Sequence, residues 1–475
     1  MMRNRQLHLF ERQDEAESRD ASLESLLSQD LDFHSETGAY ASHDFHPFPA
    51  KFPPQLPHKF ITALTSPGEI VLDPMMGSGT TVLEAFLCGR QGIGIDIDPL
   101  ALKISSVKAT PLNVKHVLEM GHEILKRARI AVTQERSDLK TKLEKRWDHR
   151  TRQFVDYWFT RDTQLELMAL INEIEKIPDV VMKRFFEVVF SGIIITKSGG
   201  VSLALDLAHT RPHRAKVVLK ATPMKRTNNA ADASSRRHRH ETKMLRSALL
   251  EFERRFKQNL GGLVKLAQSS LLPRFLYGNA QDLPLLDASV DLIVTSPPYA
   301  SNAIDYMRAH KFSLVWMGYS IDELGRKRKE YIGGEATTDF QFEELPHATA
   351  KVVADIADRD RKKGRALHRY YSEMTRILRE MYRVLRPGKI AIVIIGSSVM
   401  RGRDTETPMC LAEIGRALGF HVPKIGIRQL DRDRRMMPVG SRPNLNSPIQ
   451  QRMHEEYVIG FRKPDILSTH PRRRR

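Results

Sequence analysis

Two short stretches hold residue types at a spacing suited to chemistry. The first is Asp73-Pro74-Met75-Met76-Gly77-Ser78-Gly79-Thr80-Thr81, directly after the apolar run EIVLD. Glycines at a strand-to-helix turn let the backbone approach a ligand closely, and the helix that follows offers free N–H groups to an anion. Asp96 lies 19 residues beyond Gly77, at the end of a second apolar run, GIGIDID. A separation of about 20 residues is where an acid meets a ribose hydroxyl, so the pattern points to a nucleoside-bearing cofactor. The turn is not the G-x-x-x-x-G-K-[ST] of a P-loop, and Val82 stands where a dinucleotide fingerprint has its third glycine. Taken alone, the turn is equally compatible with a tight connection that binds nothing. The second stretch is Thr295-Ser296-Pro297-Pro298-Tyr299, after the run VDLIV. Consecutive prolines fix an extended backbone whose carbonyls cannot swing away. A hydroxyl, a fixed carbonyl and an aromatic ring suit a flipped planar base with an exocyclic amine: the oxygens accept its N–H bonds and the ring stacks on it. A rigid loop ending a strand is the plainer alternative.

The elements that must hold these residues follow from periodicity. EIVLD reads as a buried strand, PMMGSG as a turn, TTVLEAFLCG as a helix ending at Gly89, and GIGIDID as a second strand. Strand, glycine turn, helix and strand make a βαβ unit of a parallel sheet. VDLIVT (290–295) and KIAIVIIG (389–396) read as further buried strands, and VPKIGIRQL and EEYVIGF as a closing hairpin. Residues 1–40, polar and Ser-rich, read as a mobile arm. Five prolines between Pro47 and Pro57 forbid a long helix before that point, and the aromatics among them suggest a packed segment. Residues 109–270 read as a large, mostly helical insert. Within it, 211–243 holds Arg236, Arg237, Arg239 and seven other Lys or Arg against two acids, Asp232 and Glu241. The second part of the sheet domain then spans 271–465, after a first part at 41–108, and a basic tail closes the chain at 466–475.

The chain has 475 residues, 75 Lys plus Arg against 57 Asp plus Glu, for a formal net charge of +18. That length predicts more than one lobe. At 41% hydrophobic residues it builds a sizeable core, which excludes a wholly disordered chain. No run is long and apolar enough to span a membrane, and residues 1–20 lack the apolar stretch of a secretory signal. Two cysteines, Cys88 and Cys410, are too few for a disulfide framework or a Cys-based zinc site and suit a reducing cytoplasm. The positive charge favours a polyanionic partner.

Together, the two motifs resemble the amino-methyltransferases of DNA, the cytosine-N4 and adenine-N6 family. There DPxxGSGTT is the S-adenosylmethionine loop and [DNS]-PP-[YFW] the catalytic loop. SPPY, with Ser first, is similar to the form usual among cytosine-N4 enzymes. The resemblance covers roughly 45–108 and 275–463. It implies a Rossmann-like α/β sheet of seven strands with the last antiparallel, interrupted by the helical insert. It implies S-adenosylmethionine as cofactor, held by Lys51, Phe52, Asp73, Pro74, Gly77, Gly79, Thr80 and Asp96, with Asn279, Ala280 and Asp282 of GNAQDL at its adenine. Ser296, Pro297, Pro298 and Tyr299 would be catalytic, with no metal. The implied reaction is direct methyl transfer to a flipped base in double-stranded DNA, most simply at cytosine N4. Adenine N6, an RNA base, and a non-catalytic nucleic-acid-binding relative stay open, as does a restriction endonuclease partner. A cytosine-C5 mechanism needs a thiolate nucleophile, and neither Cys88 nor Cys410 lies in a catalytic loop. For target recognition the 109–270 insert competes with the segment after Tyr299, which carries Arg326, Lys327, Arg328 and Lys329.

Overall fold

The computed structural model describes residues 20–49, 51–196, 200–204, 245–264, 266, 271–300, 305–334, 339–430 and 455–465. The basic stretch 211–243, residues 1–19 and the tail 466–475 lie outside the described residues. A seven-stranded sheet forms the centre, from β1 (Ile70–Asp73), β2 (Gln91–Asp96), β3 (Arg274–Tyr277), β4 (Val290–Thr295), β5 (Leu385–Ile395), β8 (Ile425–Gln429) and β9 (Glu455–Arg462). Its order is β3-β2-β1-β4-β5-β9-β8. The first five strands run parallel, and β9 runs antiparallel to both β5 and β8. A separate two-stranded ribbon joins β6 (Val399–Met400) to β7 (Arg403–Asp404).

Strand alternation explains both faces of the sheet. Val71, Leu292, Val294, Ile390, Ile392 and Ile394 point to one side. There they meet helix α1 (20–28), α2 (Gln55–Leu64) and Ala85 of α3 (Thr80–Leu87). Leu72, Ile293, Ala391, Val393 and Ile395 point to the other. They pack under α13 (His347–Ala357), α14 (Arg361–Val384) and α15 (Thr407–Ala417). Leu23, Leu27 and Leu31 are fully buried, and Arg462 pairs with Asp20 at 2.5 Å. The expected mobile arm is therefore corrected from residue 20 onward: leucines at i and i+4 give α1 an apolar stripe that seats on the sheet.

The described residues of the insert are mostly helical, as expected. Between β2 and β3 come α4 (Pro99–Lys108), α5 (Val114–Gln134), α6 (Arg136–Arg146), α7 (His149–Trp158), α8 (Arg161–Glu175), α9 (Val180–Ile194) and α10 (Ala248–Leu263). It is not a free-standing lobe. Leu125, Phe159, Phe186 and Phe256 share one buried cluster with Leu83 and Phe86 of α3, Leu100 and Ile104 of α4, and Phe312 and Trp316. Phe312 lies on α11 (Tyr306–Leu314), which a 3₁₀ turn joins to α12 (Ile321–Lys329). The Trp147 indole donates to the Val315 carbonyl at 2.8 Å, tying the end of α6 to that turn. Among the described residues, no helix is long and apolar enough to cross a membrane.

Candidate active site

β1 and β4 are neighbours at the sheet's centre, and the chain leaves them toward opposite edges. A crevice opens at the carboxyl ends of strands at such a reversal. The two motifs end these two strands, so residues far apart in sequence meet here. Thr295 Oγ1 donates to Asp73 Oδ1 at 2.7 Å, and the Met75 amide donates to the same oxygen at 3.2 Å. Burial pushes the Asp73 carboxyl up to about 6, against the pull of these bonds.

The glycine turn is shaped by positive φ and close approach. Gly77 has φ 48° and Gly79 φ 74°. A Cβ on Gly79 would lie 2.7 Å from the Ser105 Cβ, so α4 packs directly on the turn. The fully buried Lys108 reaches the same turn, donating from Nζ to the Ser78 carbonyl at 2.7 Å. Asp96, at the end of β2, accepts from the Gly77 amide at 2.7 Å and the Asp98 amide at 2.8 Å. Enclosure by protein, and then the neighbouring Asp98, push its carboxyl up to about 7. Asp98 caps α4, accepting from the Leu100 and Ala101 amides, with Pro99 at the first helical position. Its other oxygen meets His310 Nδ1 at 2.6 Å and the Tyr331 hydroxyl at 2.8 Å.

These elements enclose a cleft of about 900 Å³, part of it open to solvent. Of the residues expected from sequence, Lys51, Phe52, Asp73, Pro74, Gly77, Thr80, Asp96, Asn279, Ala280, Ser296 and Pro298 line it. Four do not. Gly79 lies beneath the turn, against Ser105. Pro297 is buried behind Ser296 and Pro298. Asp282 is exposed and closes a short bridge with Asn279, to whose carbonyl its amide donates at 2.9 Å. Tyr299 turns toward β9, donating its hydroxyl to Glu456 Oε1 at 2.6 Å, while Arg428 pairs with Glu456 Oε2. The cleft also takes Phe48, Asp98, Tyr306, Glu330 and Tyr331, none of which the motifs indicated. Phe48 and Tyr306 stack with ring centroids 5.4 Å apart. The only sequence signal for them was the aromatic content of the proline-rich segment and the Asp-x-Asp-Pro of a helix cap.

The cleft suits a cationic nucleoside. Among the described residues that line it, the acids Asp73, Asp96, Asp98 and Glu330 outnumber the one lysine, Lys51, which is engaged with the His43 carbonyl at 2.8 Å. Aromatic faces of Phe48, Phe52, Tyr306 and Tyr331 line the rest, and such faces attract positive charge.

Comparison with known proteins agrees. The sequence model of the DNA methylase family of N6 and N4 methyltransferases matches residues 12–107. The chain is thus similar to DNA amino-methyltransferases of the N6 and N4 type. The Type II methyltransferase M.MvaI of Kocuria varians is 22% identical over 440 residues, 89% of each chain. The Type II methyltransferase M.BsoBI of Geobacillus stearothermophilus is 23% identical over 401 residues, 76% of this chain and 74% of that one. The DNA adenine methyltransferase YhdJ of Escherichia coli (strain K12) is 38% identical, over 65 residues covering 14% of this chain and 22% of its own. That likeness supports S-adenosylmethionine as the cofactor.

Proposed function

We propose that this protein methylates cytosine at N4 in double-stranded DNA, on a base flipped into the cleft. The observation that supports amino-methyl transfer is the shared cleft: Ser296 and Pro298 face the same space as Asp96 and the glycine turn, while the choice of cytosine N4 over adenine N6 rests on the resemblance of the Ser296-Pro297-Pro298-Tyr299 loop. S-adenosylmethionine, when bound, would supply a methyl carbon made electrophilic by its positively charged sulfur: as the amine nitrogen bonds to that carbon the carbon–sulfur bond would break, the sulfur would leave as a neutral thioether, and one amine proton would be released to solvent. The chain's own residues hold the partners. Asp96 accepts from ribose hydroxyls, the 74–79 turn admits the amino-acid end, and Asp73, oriented by Thr295, meets its ammonium. Asn279 and Ala280 flank the adenine.

Ser296 Oγ and the Pro297 carbonyl accept the two N–H bonds of the exocyclic amine, which aims its lone pair into the cleft. The buried Pro297 keeps that carbonyl from turning away. The Tyr299 ring does not line the cleft in this structure, its hydroxyl being tethered to Glu456, and stacking on the base is its proposed role in the DNA complex. No covalent enzyme intermediate is required, so neither cysteine is.

Phosphate contacts fall to Arg326, Arg328 and Lys329, exposed in the last turn of α12 immediately before Glu330 and Tyr331 of the cleft. The insert is proposed to read the target sequence, and a restriction endonuclease cutting the unmodified site to be the biological counterpart. The test is methylation of duplex DNA in vitro followed by mass analysis of its nucleosides. N4-methylcytosine is the expected product. N6-methyladenine alone would overturn the base assignment and keep the enzyme class. Neither product, with cofactor binding intact, would direct the search to RNA.

A further inference from the structure

One turn beyond the cofactor loop, α3 carries Glu84, and Cys88, the residue that caps the helix, follows at i+4. That spacing sends both side chains out of the same helix face. Helix α2 packs against α3 and brings His58 to them. His58 Nδ1 lies 2.9 Å from Glu84 Oε2 and 3.4 Å from Cys88 Sγ, and the three ligand atoms lie within 4.8 Å of one another. The other carboxylate oxygen is already committed. Glu84 Oε1 accepts from the Tyr40 hydroxyl at 2.7 Å and meets His43 Nε2 at 2.6 Å. Those two bonds hold the carboxylate in one orientation, with Oε2 turned to the imidazole and the thiol. Glu84 is 1% exposed while His58 is 50% exposed, so the group is rooted in the core and opens to solvent at one side.

A hydrogen-bonded buried acid accounts for Tyr40, His43 and one contact of His58. It does not account for a thiol set beside that imidazole and carboxylate. Nitrogen, oxygen and sulfur donors are the three ligand types of zinc, at about 2.0–2.3 Å from the metal. In a tetrahedral array such ligand atoms stand about 3.3–3.6 Å apart, and the two contacts of His58, at 2.9 and 3.4 Å, are near that spacing.

We propose that His58 Nδ1, Glu84 Oε2 and Cys88 Sγ bind one zinc-class divalent transition-metal ion, with water in the fourth position. As the Sγ–metal bond forms, the thiol proton leaves to solvent. The imidazole, whose Nδ1–H donates to Glu84 in the metal-free protein, shifts its proton to the exposed Nε2, so that Nδ1 offers its lone pair. Tyr40 and His43 fix the carboxylate, as hydrogen bonds to metal-bound carboxylates do. A thiolate in the set favours zinc or cobalt over magnesium or calcium. The ion would join α2, which follows Lys51 and Phe52, to α3, which follows the glycine turn. The metal site is independent of which base is methylated.

The test uses the full-length protein, stripped with chelator and titrated with Co²⁺, with zinc counted by elemental analysis after dialysis against Zn²⁺. One equivalent of metal and a thiolate-to-cobalt charge-transfer band in the near ultraviolet are expected. Cys88→Ser should abolish that band, and His58→Ala should weaken binding by at least about tenfold. Both positions are partly exposed, and an unchanged far-ultraviolet circular dichroism spectrum verifies that each variant folds. Absence of stoichiometric metal would overturn the proposal. So would a charge-transfer band that persists in Cys88→Ser, or binding unchanged in the His58→Ala/Cys88→Ser double variant.

Discussion

Asp96 is the residue whose role and electrostatics can be tested together. Asp96→Ala removes a charged acceptor for ribose and should cost about 1.5–3 kcal/mol of cofactor binding, with turnover at saturating cofactor changed much less. Calorimetric titration with S-adenosylmethionine measures it. With its carboxyl pushed up to about 7, Asp96 is ionised above that pH and protonated below it. Ionised, it accepts from both hydroxyls, so cofactor affinity should fall as pH drops through about 7. Asp96→Asn should flatten the dependence, and an unchanged profile in that variant would assign the proton to another group. Tyr299 offers a second test, because its ring and its hydroxyl do different things. Tyr299→Ala should lose about 1–3 kcal/mol of base stacking, read as a drop in kcat/KM for DNA. Tyr299→Phe keeps the ring, breaks the bond to Glu456, and should lose about 1 kcal/mol. Asp73 to Thr80, Asp96, Ser296 and Pro298 were legible in the two motifs and their spacing, because glycines, prolines and a strand-end acid constrain backbone that is local in sequence. Phe48, Tyr306 and Tyr331 were not. Their approach depends on how two loops fold over β1 and β2, and no short-range pattern encodes that.

The strands and the cofactor helix were visible as apolar runs, and α4 could have been placed by its Asp98-Pro99 cap. What periodicity could not show is which helices share a core. Amphipathic helices α5 to α10 read alike whether they form their own lobe or, as here, fuse with α3, α4 and α11. The consequence for α12 is direct: it is attached to the same cluster through Leu324, so its basic last turn is held at a fixed place beside the cleft. Reversing Arg326, Arg328 and Lys329 to Glu should lower the slope of log affinity against log salt by about 0.9 for each phosphate no longer neutralised. Filter binding to duplex DNA across a salt series reads that slope. An unchanged slope would remove α12 from the DNA surface and leave the 211–243 stretch as the better candidate.

Across the whole molecule, the polar composition of residues 1–40 concealed a structural role, although Leu23 and Leu27 at helical spacing were its signal. Leu27→Ala should destabilise the fold by about 2–5 kcal/mol, measured by urea denaturation. Cofactor affinity should be unchanged at temperatures where the variant is folded, because α1 covers β5 and β9, away from the cleft. The placement of the insert has a further consequence, which belongs to synthesis and folding. Asp73 and Thr295, bonded at the heart of the site, are 222 positions apart. During translation β1 therefore emerges with one edge bare, and its partner β4 arrives only after the whole insert has been made. The helices between them are stabilised locally and can form early, whereas closure of the sheet must wait. An exposed hydrophobic edge over that interval invites pairing with other chains. Nascent chains halted before residue 290 should bind chaperones and resist release, and those halted beyond β9 should not.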